Sequence, residues 1–354
     1  MTEISTISIH RAKHSKLLEV DYNNLEFGSY ISDHMLICDY ANGEWQNPKV
    51  VPFANLSLSP ATLALHYGQT VFEGMKAFRF DDGRLNIFRI DKHYDRLLQS
   101  LNRMCMAVVP KEIFVDGLQQ LVELDKDWVP SNEKGALYLR PFMYASEAKF
   151  GVKISDEYRF VIFTGPVSDY YSKPIRVKVE RKFTRAVAGG TGYAKCGGNY
   201  GGAYYPTKLA REEGFDQVLW TDGREHEFIE ESGTMNVMFV VDQKLVTPPL
   251  SDSILDGITR DSLLQIANSL EIEIEERPVS VDELKLAFAE NSITEAFGAG
   301  TAAVIAPINV INIDGVSYHL PQYNHESTMF KLKRKLQDIR LGKIPDDYGW
   351  NFVF

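Results

Sequence analysis

The chain is poor in cysteine and has no sulfur motif. Cys38, Cys105 and Cys196 are its only three. Three cannot all pair within one chain and no C-x-x-C occurs, which excludes a disulfide framework and a thiol-redox centre. A basic stripe is also missing. The net charge is −10, and the densest basic run, Lys331 to Lys335, belongs to an amphipathic pattern. It reads as a solvated helix face, and nucleic acid is not an expected partner. The least polar stretch, Ala296 to Ile311, is broken by Gly298, Gly300, Pro307 and Asn309. No membrane span is expected from it. Met1 to Leu17 lacks the apolar core of a secretory signal, so the expected compartment is the cytoplasm. The eight histidines are scattered. His10 and His14 have helical spacing but no carboxylate partner, and no metal is expected.

What is present is ordinary in bulk: 44% hydrophobic and 24% charged residues over 354 positions. That composition suits a globular protein of about two domains. The stretch after Gly165-Pro166, with Ser, Asp, Tyr and Lys-Pro, is the candidate linker. The expected division is an N-terminal domain 1–168, an interdomain loop 169–183 and a larger domain 184–354. Turn dipeptides Asn42-Gly43, Asp82-Gly83 and Asp222-Gly223 predict hairpins. Their strands fall at 34–40 with 45–52, 75–80 with 84–89, and 216–221 with 226–230. Further strands are expected at 136–144, 158–164, 175–181 and 236–247. Helical spacing predicts helices at 90–104, with Asp91 as N-cap, at 110–128, 203–212, 260–270 and 326–340. Another, at 281–290, follows the capping box Ser280-x-x-Glu283. Hairpins with appended helices argue for an α+β fold.

Seven of the 25 glycines sit in the fourteen residues Gly189 to Gly202, around Lys195. A Walker loop needs Gly-Lys-Ser/Thr, but Ala194 and Cys196 flank this lysine. A dinucleotide fingerprint needs a small residue where Lys195 stands. A lysine that forms an imine with a carbonyl compound, or a flexible loop with a solvated lysine, are the remaining readings. A second cluster, Phe297-Gly-Ala-Gly-Thr-Ala-Ala303, is followed by a β-like run rather than a helix, so a backbone turn offering N–H groups to an anion is expected. Leu255-Asp-Gly-Ile-Thr259 enters a helix, whose first N–H groups suit phosphate, although Thr259 reads equally well as an ordinary N-cap. Glu230 reads as part of a charged turn. Arg140 sits in an apolar strand, where an unpaired guanidinium is costly and an anion is a natural partner. An imine-forming lysine, a carboxylate, an arginine and two anion cups together suit a phosphorylated aldehyde with a ring nitrogen.

Ordered motifs then place the chain by resemblance. They are Phe72-Glu-Gly-Met-Lys-Ala-Phe78, Tyr94-Asp-Arg96, Asp125-Lys-Asp-Trp-Val-Pro130, Tyr138-Leu-Arg140-Pro, Lys195-Cys-Gly-Gly-Asn-Tyr200, Glu231-Ser-Gly-Thr-Met-Asn236, Val246-Thr-Pro-Pro-Leu250, Ile254-Leu-Asp-Gly-Ile-Thr-Arg260 and Gly300-Thr-Ala302. From about Phe27 to the C-terminal helix the chain resembles the branched-chain-amino-acid aminotransferases. The resemblance implies the two-domain α+β architecture of fold-type-IV pyridoxal-phosphate enzymes, like D-amino-acid aminotransferase, with the active site between the domains and a homodimer. It implies amino transfer between leucine, isoleucine or valine and 2-oxoglutarate. Lys195 corresponds to the imine-forming lysine, Glu231 to the carboxylate facing the pyridine nitrogen, and Tyr200 to the tyrosine near the phenolic oxygen. Arg96, the Ile258 and Thr259 N–H groups and Thr301 correspond to the phosphate site, and Thr234 to a further cofactor contact. Tyr67 and the Thr301-Ala302 turn correspond to the substrate carboxylate site. Phe72, Tyr138, Tyr170, Thr234 and Met235 line the side-chain pocket in the family, with Val152 entering from a partner subunit. Arg140 is placed to meet the glutamate side chain. Ala303 and Ala306 stand where some relatives carry a C-x-x-C switch, so that regulation is not expected. Ile31 replaces a pocket aromatic of some relatives. D-amino-acid aminotransferases and aminodeoxychorismate lyases share the lysine, glutamate and phosphate signals, and a non-catalytic phosphate-ligand binder is the rival from another class.

Overall fold

The computed structural model describes residues 6–22, 25–131, 135–168 and 173–354. Tyr170, expected in the side-chain pocket, and the start of the expected interdomain loop lie outside the described residues. The chain divides into two compact units. The first holds residues up to 170, with Ala194–Gly198 and Ile339–Phe354. The second holds 171–193 and Asn199–Asp338.

The first unit is built on β1 (Ser8–Ile9), β2 (His34–Ala41), β3 (Glu44–Pro52), α1 (Leu63–Tyr67), β4 (Thr70–Phe72), β5 (Met75–Arg79), β6 (Leu85–Phe88), α2 (Ile90–Arg103), α3 (Lys111–Leu124), β7 (Ala136–Ala145) and β8 (Tyr158–Val167). The chain's last strand, Asn351–Val353, closes its sheet against β6. Strand order is β1-β3-β2-β8-β7-β5-β6 and then that last strand, with β4 on β7. Pairing is antiparallel except at β1 on β3. Asn42 and Gly43 both take positive φ, as a two-residue hairpin requires. Leu97, Leu101, Ile113, Phe114 and Leu118 pack with Leu36, Leu137, Phe160 and Ile162 into one buried cluster. Asp91 does not cap α2, contrary to expectation: Arg89, at φ 54, is the N-cap, and Asp91 is the second helical residue, paired with Lys111. Gly165-Pro166, just ahead of the candidate linker, is still strand. β8 runs through it, paired Leu137 to Pro166, beyond the point where the β2 ladder ends at Phe163. A proline is tolerated there because no central ladder bond is lost.

The second unit contains β9 (Ile175–Val179), α4 (Gly198–Gly201), α5 (Tyr204–Glu212), β10 (Gln217–Thr221), β11 (Ile229–Ser232), β12 (Met235–Val241), β13 (Lys244–Thr247), α6 (Ile258–Ser269), β14 (Ile274–Glu276), α7 (Val281–Ala289), β15 (Ile293–Gly300), β16 (Val304–Ile313), β17 (Val316–His319) and most of α8 (Thr328–Arg340). The last strand of the first unit, introduced above, is β18. Order in the second sheet is β11-β10-β9-β16-β15-β12-β13-β14, with β17 on β16 and β11 also on β12. β9 lies inside the expected interdomain loop 169–183. Ile175, Val177 and Val179 alternate inward and are buried, so the segment is a central strand. β11 begins at Ile229 rather than 226, because Asp222 accepts from the N–H groups of Arg224, Glu225, Glu227 and Phe228 and holds that stretch as a turn. The capping box on α7 forms as predicted. The architecture is α+β.

Candidate active site

In the first unit, a short segment of distant sequence is stitched to β4 and α2. Phe72 N–H donates to the Lys195 carbonyl at 3.0 Å and Gly197 N–H to the Thr70 carbonyl at 3.2 Å. Lys195 N–H donates to Ser100 Oγ at 2.9 Å. Lys195 therefore belongs to the first unit, not to a domain 184–354. Helix α2 explains what meets it. Ile90, Tyr94, Leu97 and Leu101 form its apolar stripe, while His93, Arg96 and Ser100, spaced i, i+3, i+7, form a second stripe that is polar and equally buried. Glu73 answers that stripe. It is fully buried just after β4, takes Arg96 Nε on Oε1 at 2.7 Å and Arg96 Nη2 on Oε2 at 2.8 Å, and lies 2.8 Å from His93 Nδ1.

The electrostatics follow. Burial opposes the Glu73 charge, but the Arg96 guanidinium overrides it and holds the carboxyl far below the usual range. Burial pulls His93 down to about 4, with Glu73 opposing and Arg96 and Lys195 assisting. Lys195 is brought down to about 8, first by desolvation and then by Arg96. Its Nζ lies 4.9 Å above the Phe72 ring. Arg140 stacks over Phe72 at 5.0 Å and Tyr138 at 5.3 Å, and donates to Tyr138 Oη at 3.1 Å. Its buried Nε has no hydrogen-bond partner among the described residues. Gly74 permits this arrangement, since a Cβ there would overlap the Tyr138 hydroxyl. Beside Phe72 and Arg140, a pocket of about 420 Å³ is walled by Leu56, Leu65, Phe142 and Phe163. Tyr67 ends α1 and is 44% exposed; Val152, on the loop after β7, is 83% exposed.

The second unit gathers its own set. Glu231, on β11, is 2% exposed. Its Oε1 accepts from Leu255 N–H at 2.8 Å and from Asn236 Nδ2 at 3.5 Å, and its Oε2 lies 3.1 Å from Arg185 Nε. Asn236 also donates to the Leu255 carbonyl at 2.9 Å, which ties the approach to α6 onto β12. Gly257, the α6 N-cap, leaves room for the Asn236 side chain. Ile258 and Thr259 are thus the first two residues of the helix, where N–H groups have no partner within the helix. Thr259 is not the cap. The Gly298 cluster forms a β15–β16 hairpin with Thr301, Ala302 and Ala303 at its tip, a turn rather than a helix. Val304 closes it at φ 61, a strained value for a β-branched residue. Met235 lies against Gly298, which brings the Gly233–Met235 turn beside that tip. Tyr200 is half-buried on α4, and Thr234 is exposed.

Sequence reading passed over Glu73, His93, Ser100, Arg185 and Asn236. Glu73 and Asn236 stand inside motifs already singled out, but nothing in their local sequence marks either as buried. His93 and Ser100 were visible only as a polar stripe on an amphipathic helix. Glu230, read as a charged turn, is a buried strand residue. Each unit by itself holds donors of the kinds pyridoxal phosphate takes: an amine of lowered pKa and a buried arginine in the first, a helix start and a buried carboxylate in the second. Among the described residues no cluster could hold a metal ion, and no helix is long and apolar enough to cross a membrane.

Comparison with known proteins gives the family. The model "Amino-transferase class IV" matches residues 70–311. The branched-chain-amino-acid transaminase 1 of Bacillus subtilis is 43% identical over 335 residues, covering 93% of this chain and 94% of that one. A probable branched-chain-amino-acid aminotransferase of Staphylococcus epidermidis is 43% identical over 339 residues, with 93% of each covered. The crystal structure of the branched-chain aminotransferase of Thermoproteus uzoniensis with norvaline superimposes with a TM-score of 0.74 at 26% identity, covering 90% of this chain and 99% of that one. The resemblance of the motifs, the α+β architecture and these matches agree: the chain is a transaminase of the class IV aminotransferase family.

Proposed function

We propose that this chain is a branched-chain-amino-acid transaminase. It uses pyridoxal phosphate to move the amino group between L-leucine, L-isoleucine or L-valine and 2-oxoglutarate, giving branched 2-oxo acids and L-glutamate. The observation that carries the reading is Lys195, an amine brought to about 8 beside Arg96 and Glu73. Such an amine is both a nucleophile toward an aldehyde and a base of suitable strength. When bound, the cofactor supplies an electron sink for the charge released at the substrate Cα. Everything else falls to the protein. Lys195 holds the cofactor and, once freed, carries a proton from Cα. Glu231 would stabilise the proton on the ring nitrogen, and Tyr200 would serve the phenolic oxygen. Arg96, the N–H groups of Ile258 and Thr259, and Thr301 take the phosphate, with Thr234 adjoining. Tyr67 and the Thr301-Ala302 turn take the substrate carboxylate. Phe72, Tyr138, Tyr170 and Met235 take an apolar side chain, with Val152 contributed from a second copy. Arg140, whose Nε has no hydrogen-bond partner among the described residues, receives the side-chain carboxylate of glutamate.

This reading includes a homodimer in the cytoplasm, with neither nucleic acid nor membrane as a partner. An amino-acid panel with 2-oxoglutarate as acceptor tests the substrate. Turnover of leucine, isoleucine and valine with none of D-alanine is expected; the reverse order refutes the proposal. Borohydride should fix the cofactor to the peptide bearing Lys195, and Lys195→Ala should abolish turnover. A modified peptide elsewhere would displace Lys195 from its role.

A further inference from the structure

Glu230 and Glu231 are consecutive on β11 and both are buried, at 9% and 2% exposure. Successive strand residues point to opposite faces, so they do not share one pocket. They are linked instead through Ser253, which meets Arg185 by its carbonyl and Glu230 by its hydroxyl. Arg185 braces Glu231 Oε2 through Nε at 3.1 Å. Its Nη2 donates to the Ser253 carbonyl and, at 3.4 Å, to that of Gly192. The Ser253 hydroxyl in turn donates to Glu230 Oε1 and lies 3.0 Å from Ser251 Oγ. Two residues beyond Ser253, the Leu255 N–H holds Glu231 Oε1 at 2.8 Å. The loop from Ser251 to Leu255 thus joins both carboxylates, and Glu230 grips its middle. Glu230 Oε2 is buried with no hydrogen-bond partner among the described residues. A carboxylate buried at that cost needs a compensating role.

We infer that Glu230 is a positioning residue for Glu231: through Ser253 it fixes the loop and Arg185, and by sharing the Arg185 charge it leaves Glu231 a full anion toward the cofactor's ring nitrogen. The inference rests on the assignment of Glu231 to that nitrogen. Charge counting supports it. One buried guanidinium beside one carboxylate is neutral, which would leave little negative potential for a pyridinium. A second carboxylate restores one net negative charge. Burial raises the Glu230 pKa, Ser253 and Arg185 oppose this, and Glu231 and Asp222 add to it. Asp222 itself is held at about 2, where burial is overcome by backbone N–H groups, so it adds a permanent negative charge nearby.

The test is the nitrogen-15 shift of the ring nitrogen in holoenzyme carrying labelled pyridoxal phosphate, followed with pH for wild type, Glu230→Gln, Ser253→Ala and Glu231→Gln. Glu230→Gln should lower the affinity of the ring nitrogen for its proton about tenfold, roughly one pKa unit. kcat should fall by a similar factor, with KM little changed. Ser253→Ala should move the shift the same way by less, because only one link of the chain is lost. A Glu230→Gln enzyme that is slower but keeps the wild-type shift overturns the inference and makes Glu230 merely structural. Should Glu230→Gln fail to fold, Ser253→Ala decides, and an unmoved shift there overturns it. Glu231→Gln separates the two levels. If it leaves the shift unmoved, the assignment of Glu231 fails; if it moves the shift while Glu230→Gln and Ser253→Ala do not, only the role of Glu230 fails.

Discussion

Lys195 illustrates how one side chain acquires its chemistry from neighbours that its own sequence does not announce. Desolvation and the Arg96 cation lower its pKa to about 8, while Glu73 opposes them. Each of these charges can be removed separately. In apoprotein, the rate of reductive methylation at Lys195 should rise through about pH 8. Arg96→Met should move that midpoint upward, because a repelling cation is gone. Glu73→Gln should move it downward, because a stabilising anion is gone. Shifts of the opposite sign would mean that Arg96 and Glu73 are not what sets the amine. The lysine itself was legible from glycine crowding, since seven glycines in fourteen residues signal a special backbone demand. The partner Glu73 was not legible as such, because a Glu between two strands reads as surface until α2 is laid over it.

At the scale of the element, α2 does two jobs with two stripes. The apolar stripe packs the unit, and the polar stripe of His93, Arg96 and Ser100 meets Glu73 and the Lys195 backbone. Buried polar stripes make stability depend on pH. His93 titrates at about 4 in the folded state against about 6.5 unfolded, with burial as the main cause. The folded state therefore binds fewer protons between those values, and stability is lost as pH falls from 6.5 toward 4. The loss is about 3 kcal/mol at most for this group alone. Glu73, held below its unfolded pKa, adds a loss of the same sign at still lower pH. Urea unfolding at pH 7 and pH 5 checks this. The midpoint should drop at pH 5 in wild type and drop less in His93→Asn; a wild-type midpoint indifferent to pH would refute it.

Across the whole molecule, chain order and spatial order part company. The first unit takes Ala194–Gly198 and Ile339–Phe354 from far along the chain. β18 pairs with β6, and Trp350 packs edge-on to Phe88 with ring centroids 5.7 Å apart. Arg89 N–H donates to the Trp350 carbonyl and Phe354 exchanges backbone bonds with Leu85. Removing residues 341–354 should therefore expose β6 as an open edge and uncover Phe88. The expected result is a lower thermal midpoint and aggregation, read by scanning calorimetry and light scattering. A truncated chain that unfolds at the wild-type temperature without aggregating would show that β18 is dispensable.

Local signals in the sequence determined most of the elements. Turn dipeptides placed the hairpins, apolar spacing placed the main helices, and Ser280 with Glu283 placed the start of α7, because those choices depend on dihedral preferences and hydrogen bonds only a few residues apart. The motifs determined the family. Tertiary structure alone decided that Lys195 sits on the first unit, that Glu73 clasps Arg96, and that Arg185 and Ser253 connect two neighbouring carboxylates. Each of these is a contact between residues 23 or more positions apart. The cost of burying a charge is repaid only when the fold brings its partner within hydrogen-bond reach, and that is set by the packing of whole sheets and helices.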